Sequence, residues 1–374
     1  MKIAIIGAGI GGLSAALALR GHDLYIFEKR AAFEPLGTGI GIGSNAMLAL
    51  AEIGLADWVH QYGHPLYVQQ FLDTNGRLLN TIDFGEFKRW YGQENMTIHR
   101  GDLHQILYDA CPKMNLTFNK KCISVRQQHD KVHVYFDDGT ADQFDLLIAA
   151  DGIYSKIRQT LYPDILPTYA GYTCWRGIAK QPPGIQQHTS VELWGTGKRI
   201  GYAPLANDSF YWFACINARQ DDLFYKNLSQ REVASLFSDF PAEVQDFIRS
   251  TPDEAFLHHD LYDITPPDSY VDGRIVLLGD AAHATTPNMG QGAGQAIEDA
   301  VALGSLINNF PLGEALERYN KIRVSHTKKV VRMSRLIGRL LQLPSPLLAN
   351  GRNALTPFIP SSLLLWRLKF LFKQ

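Results

Sequence analysis

The chain has 374 residues, 46% of them hydrophobic, with 36 Lys/Arg against 37 Asp/Glu and a formal net charge of −1. That content supplies two or three cored domains and excludes a disordered chain. Cys111, Cys122, Cys174 and Cys215 show no C-x-x-C or other metal-ligand spacing, so no disulfide and no metal site is expected, and a reducing cytoplasm fits.

The first 28 residues read as strand, glycine turn, helix and strand. Ile3 to Ile6 is too short an apolar run for the core of a signal peptide, and no later run reaches transmembrane length. The run ends at Gly7-Ala8-Gly9-Ile10-Gly11-Gly12, which matches G-x-G-x-x-G, and Leu13 to Leu19 continues as a helix. Leu24 to Phe27 is the second strand, and Glu28 lies 21 residues after Gly7, where an acidic group meets a ribose hydroxyl. This is a dinucleotide-binding unit that NAD and FAD would fit equally.

Gly37 to Asn45, GTGIGIGSN, is either a strand lying against a ligand or a glycine-rich surface loop. Ala46 to Leu55 reads as a helix with a core stripe, and His99-Arg100-Gly101-Asp102-Leu103 opens another through Ala110. Leu116 to Arg126 and Lys131 to Phe136 are expected as strands, the second followed by an Asp137-Asp138-Gly139-Thr140 turn. The apolar strand Phe144 to Ala149 runs into Asp151-Gly152-Ile153-Tyr154-Ser155-Lys156-Ile157-Arg158.

From Tyr172 to His259 the texture becomes aromatic and alternating, as in antiparallel strands with one covered face, followed by a helical piece from Gln230 to Ser250. Arg274 to Leu278 is a strand that delivers Gly279-Asp280 at its carboxyl end, where open α/β sheets present ligand-binding groups. Pro287-Asn288-Met289-Gly290-Gln291-Gly292 then feeds a helix to about Asn308. Its N-terminal amides and dipole favour negative charge, and its glycines let backbone approach a flat ring. His283, Glu298 and Asp299 read as groups that orient this loop.

From Arg318 onward there are twelve Lys/Arg and no Asp/Glu, so the residues upstream carry 24 against 37. The tail is a basic helix followed by Leu-rich runs broken at Pro344, Pro346, Pro357 and Pro360. It is either a cap on the cofactor domain or a basic, apolar segment for an anionic membrane surface. Without a nucleic-acid motif, the basic charge does not point to DNA or RNA.

GDAAH, the following Pro, GQG and EDA between Gly279 and Ala300 together resemble the second flavin motif of the single-component FAD-dependent aromatic hydroxylases, the para-hydroxybenzoate hydroxylase-like group. Asp151 to Arg158 is similar to the D-G-x-x-S-x-x-R signature of the same group, and the Gly7 motif completes the order. The resemblance implies an α/β composite. A Rossmann-like FAD domain would comprise 1–70, 98–170 and 271–315, an interleaved antiparallel sheet would form the substrate domain over 71–97 and 171–270, and 316–374 would be a C-terminal helical segment.

It also implies cofactor roles for Gly7, Gly9, Gly11, Gly12, Glu28 and Lys29. Gly41 would lie along the flavin, Arg100 would reach a phosphate or ribityl oxygen, and Cys122 would lend its backbone to the adenine. Asp151 would sit near the pyrophosphate and Asp280 on the ribityl chain, with Gly290, Gln291 and Gly292 under the isoalloxazine and Ala293 and Gly294 also binding the cofactor. In the urate hydroxylase- and salicylate hydroxylase-like branch, an Arg after G-x-G-K and a Tyr on the next strand meet at the substrate. Arg199 and Tyr211 match these as candidate catalytic and substrate residues, joined by Arg176 and Pro287. Cys174 beside Trp175 departs from the Asn of that branch, which puts urate itself in doubt.

The activity so implied is hydroxylation of an aromatic or heteroaromatic small molecule by NAD(P)H and dioxygen through a flavin C4a-hydroperoxide. A same-fold epoxidase, a tetracycline-type inactivating enzyme and a flavin-bound redox-sensing protein are the alternatives.

Overall fold

The computed structural model describes residues 1–35, 37–111, 115–180 and 186–372. Its first core is a six-stranded sheet in the order Val271–Asp272, Ile275–Leu277, Leu146–Ala149, Lys2–Ile6, Asp23–Phe27, Asn115–Thr117. All neighbours are parallel except the first pair. Strands buried on both faces need apolar residues at every position, which is what Ile3 to Ile6 and Leu146 to Ala149 provide. The helices Ile10–Ala18 and Gly292–Asn309 lie side by side, closely enough that a Cβ on Gly304 would meet the Ala18 carbonyl at 2.7 Å.

The second core belongs to a seven-stranded sheet in the order Leu257–Asp263, Thr168–Lys180, Ser209–Asn217, Lys198–Pro204, Thr189–Trp194, Val68–Asp73, Leu78–Asp83. Side chains alternate across it. Trp175, Ala179, Leu193, Ile200, Phe210, Trp212 and Ala214 point to one face and pack on the helices Gln230–Leu236 and Ala242–Arg249. By the same registers, Tyr172, Cys174 and Arg176, Tyr211, Phe213 and Cys215, Arg199, and Glu192 share the other face.

Two expected elements are divided. The strand expected over Leu116 to Arg126 is two, Asn115–Thr117 in the parallel sheet and Cys122–Gln128 in a three-stranded sheet with Lys131–Phe136 and Ala141–Phe144. Asn119 breaks it by taking φ +52°, a left-handed conformation that Asn tolerates, with its N–H donated to the Arg30 carbonyl at 2.7 Å. The helical piece over Gln230 to Ser250 is split by Pro241, which starts the second helix because it has no N–H to continue the first. The basic helix is longer than expected, Leu312–Leu341.

Candidate flavin and substrate site

The carboxyl ends of the parallel strands bring the three motifs together. Lys2–Ile6 ends at Gly7, Leu146–Ala149 at Asp151, Ile275–Leu277 at Asp280 and Asp23–Phe27 at Glu28. The chain leaves Lys2–Ile6 toward one neighbour and returns on the other side, so a crevice opens at this switch point. Arg158, fully buried, donates to the carbonyl of Ala281 at 3.1 Å and to that of Ile153. It thereby fastens the Asp151 loop to the Asp280 loop. Ser155 caps the Arg158 helix, accepting its N–H at 3.0 Å.

The glycines of the first motif divide by what surrounds them. A Cβ on Gly12 would meet the Gly7 carbonyl oxygen at 1.9 Å, one on Gly7 the Ala150 oxygen at 2.4 Å, and one on Gly11 the Leu278 side chain at 2.9 Å. Those three serve packing. Gly9 has nothing within 4 Å, and the same holds at Gly41, Gly152 and Gly290. Bare backbone facing open space at a crevice is what a pyrophosphate and a flat ring require. Gly294 packs on Ala46 at 3.1 Å, so its small size serves helix contact.

The charged groups have a matching character. Asp280 is exposed to solvent, yet enough protein surrounds it that burial pushes its carboxyl above the usual carboxylate range, against the pull of His283, Arg100 and Arg158. We read this as a carboxylate lining a cleft. Asp151 accepts the Lys156 N–H at 2.9 Å through one oxygen, while its other oxygen, Oδ1, is buried without a partner. Glu28 accepts the N–H of Ala8 at 2.9 Å and of Arg30 at 3.0 Å, which places it under the Gly9 turn. Lys29 is exposed. Cys122 is buried and burial pushes its thiol up to about 12, so it is inert as a nucleophile. The bare glycines, the partnerless Asp151 oxygen and the clefted Asp280 fit FAD.

A buried polar cluster holds the second flavin loop. His283 Nε2 and Asp299 Oδ2 are 2.6 Å apart, and the same oxygen accepts the Gly279 N–H at 2.9 Å. Arg323 donates to Asp299 Oδ1 at 2.6 Å, to Glu298 at 3.2 Å and to Gln295 Oε1 at 2.8 Å. Asn45 reaches Glu298 and, at 2.9 Å, Gln291. Burial opposes ionisation of Asp299, but His283 and Arg323 outweigh it and hold the carboxyl at about 2.

Arg199, Tyr211, Arg176 and Cys174 are brought to the face of the seven-stranded sheet opposite its helices. Arg199 is 1% exposed and paired with Glu192 at 2.7 Å, and it donates to the side-chain oxygen of Asn288 in the flavin loop. Asn288 is fixed in turn by Tyr172 at 3.0 Å, Thr286 at 2.9 Å and the Ser334 carbonyl at 2.8 Å. Tyr211 stands against Gly39, where a Cβ would meet its ring carbon Cγ at 2.4 Å. Burial raises its phenol above the usual value, so it remains a donor at neutral pH. Cys174 and Cys215 are ladder partners beside these groups. A cleft of about 620 Å³ lies next to this face, between Tyr172 and Asn217 on one side and Arg339, Gln342 and Pro344 on the other.

Glu192, Asn288 and Tyr172 were not singled out by the sequence. Glu192 carried a usable signal, since an acidic residue in an otherwise apolar strand, SVELW, needs a buried cation.

The sequence profile of the FAD binding domain family matches residues 1–334. The chain belongs to this family. It is 36% identical over 345 residues to the aurachin C monooxygenase/isomerase of Stigmatella aurantiaca, covering 91% of this chain and 90% of that protein. It is 30% identical over 370 residues to a 2-heptyl-3-hydroxy-4(1H)-quinolone synthase of Pseudomonas aeruginosa, covering 97% and 95%. Among solved structures, Klebsiella pneumoniae HpxO complexed with FAD and uric acid superposes with a TM-score of 0.94 at 26% identity, over 100% of this chain and 97% of that one. The chain is an FAD-dependent monooxygenase of the aromatic-hydroxylase type, with FAD as cofactor and NAD(P)H as reductant.

Proposed function

We propose that this monooxygenase hydroxylates a heteroaromatic ring that is neutral or only weakly acidic at neutral pH and carries a carbonyl edge, as a 4-quinolone does. The observation that carries this is the Arg199–Glu192 pair. Glu192 neutralises the buried guanidinium, so Arg176 is left as the cation on that sheet face with no carboxylate partner among the described residues. A face with one such charge suits a polarised carbonyl better than a carboxylate or a urate anion. The names of the aurachin and heptylquinolone relatives support the reading.

In this account FAD would be held by the segments 1–70, 98–170 and 271–315, with the substrate ring toward the sheet of 71–97 and 171–270. Gly9 would admit the pyrophosphate, Glu28 would meet the ribose, and Asp280 would take ribityl hydroxyls with Arg100 nearby. The bound flavin supplies electron transfer from NAD(P)H and the activation of dioxygen. The chain's own part is placement and charge. The first-turn amides of Gly292, Ala293 and Gly294, which have no partner within their helix, stabilise negative charge at the ring. Arg176 holds the carbonyl edge, and the Tyr211 hydroxyl donates to the ring's oxygen. Arg199 is a positioning residue that fixes Asn288 and hence Pro287. Turnover of FAD-loaded enzyme with 4-quinolones and with hydroxybenzoates tests the assignment. The quinolones are expected to accelerate NAD(P)H oxidation and gain one oxygen, while an exclusive preference for the anionic acids would reject it.

A further inference from the structure

The C-terminal segment turns its apolar side outward. In the helix Pro346–Leu355 and the turn after it, Leu347, Leu355 and Phe358 are 81%, 68% and 82% exposed, and Leu348, Gly351 and Ala354 are exposed with them. At about 100° per residue Leu347, Leu348, Gly351, Ala354 and Leu355 share one side of the helix, and Phe358 follows in the turn. The single charged residue of that helix, Arg352, is instead buried. It donates to the carbonyls of Leu340, Leu341 and Gly195 at 3.1, 2.9 and 3.1 Å and lies over the Trp194 ring at 5.4 Å. A helix lying on a water-soluble surface shows the reverse pattern.

This outward stripe is held in place. Asn80 donates to the carbonyls of Thr356 and Ile359 at 2.9 and 2.8 Å. The next helix, Ser361–Leu368, packs Leu365 against Ile82 and Phe87, and beyond it Phe372 stacks on Tyr91 at 3.7 Å between centroids. Its other side exposes Leu363 and Trp366. Arg339 and Arg367 are exposed in the same segment and form no salt bridge among the described residues. No Asp or Glu occurs from Arg318 onward, so nothing in the segment repels an anionic partner.

We infer that this surface docks on an anionic lipid bilayer, with Leu347, Leu355, Phe358 and Trp366 entering the headgroup region and Arg339 and Arg367 meeting lipid phosphates. Apolar insertion combined with basic charge is the pairing that gives stable interfacial binding. Among the described residues no helix is long and apolar enough to cross a membrane, so the contact is with one leaflet. The inference stands apart from the choice of ring substrate, because it uses neither Arg176 nor the flavin loop.

The test is co-sedimentation of the full-length, FAD-loaded protein with vesicles of phosphatidylcholine alone or mixed equally with phosphatidylglycerol, at low and high salt. Wild type should pellet with the mixed vesicles, and its affinity should fall about tenfold or more when salt screens the phosphates. Leu347→Asp combined with Phe358→Asp should weaken binding by about tenfold or more. Its melting temperature and NADH oxidation should stay at wild-type values. Arg339→Glu with Arg367→Glu, which leaves the apolar stripe intact, should also release the protein. Failure of wild type to bind mixed vesicles at low salt would overturn the inference, as would binding indifferent to both double substitutions. Lipid-free self-association abolished by the Asp pair would reassign the stripe to a protein interface.

Discussion

Arg199 and Glu192 sit on neighbouring strands as diagonal neighbours, 2.7 Å apart, on the sheet face that looks toward the flavin loop. In the proposed reading, the pair acts as a neutral unit that orients Asn288, where the resemblance implies an arginine that holds the substrate.

Glu192→Gln should uncover the Arg199 charge. The KM for anionic ring acids is expected to fall about tenfold, or ~1.4 kcal/mol, relative to neutral quinolones. Steady-state kinetics with matched anionic and neutral substrates measure this, and an unchanged ratio would show that Glu192 does not mask the Arg199 charge. Arg199→Ala should keep FAD but divert NAD(P)H oxidation toward peroxide, because Asn288 loses the donor to its side-chain oxygen from Arg199.

The first-motif glycines give a paired test. Gly12→Ala places a methyl 1.9 Å from the Gly7 oxygen and should cost about 1–3 kcal/mol in stability even without FAD. Gly9→Ala has open space for its methyl, so the apoprotein should melt as wild type does while FAD affinity falls about tenfold or more. Apoprotein melting curves and flavin fluorescence titrations separate the two effects.

Arg323→Met should remove the cation shared by Asp299, Glu298 and Gln295. Breaking such a buried pair costs about 3–5 kcal/mol, and flavin retention should fall with it as the Gly279 loop loosens. Thermal melts and the flavin content of purified protein read both.

Acid should act on the same cluster. The Asp299 carboxyl is held at about 2, below its ordinary value of 3.8, so its contribution to stability is present above pH 3.8 and is lost as pH falls through about 2. Asp299→Asn should therefore flatten the fall of stability between those two pH values. Urea midpoints across that window measure it, and parallel curves for wild type and variant would show that Asp299 does not supply the slope.

The flavin half of the site was legible because its determinants are local. Gly7 to Gly12, Asp151 to Arg158 and Gly279 to Gly292 each carry turn, strand end and helix start in one short run, and parallel pairing puts those runs at one sheet edge. His283, Glu298 and Asp299 could be read as loop-orienting groups because they share a motif with the loop they hold. The substrate half depends on pairs far apart in sequence. Arg199 meets Asn288 89 positions later, and whether Arg199 is free or neutralised depends on the Glu192 rotamer. Spacing alone cannot carry that information. The outward stripe of Pro346–Leu355 was obscured for a similar reason, since only the folded chain shows Arg352 turned in and the leucines turned out.

The most direct test of the central claim is turnover of FAD-loaded enzyme under oxygen-18 gas with a 2-alkyl-4-quinolone, following NAD(P)H loss, peroxide and product mass together. The account predicts substrate-stimulated oxidation, little peroxide, and one oxygen-18 atom in the product. Stimulated oxidation that yields only peroxide with that substrate, while hydroxybenzoates gain the label, would contradict it.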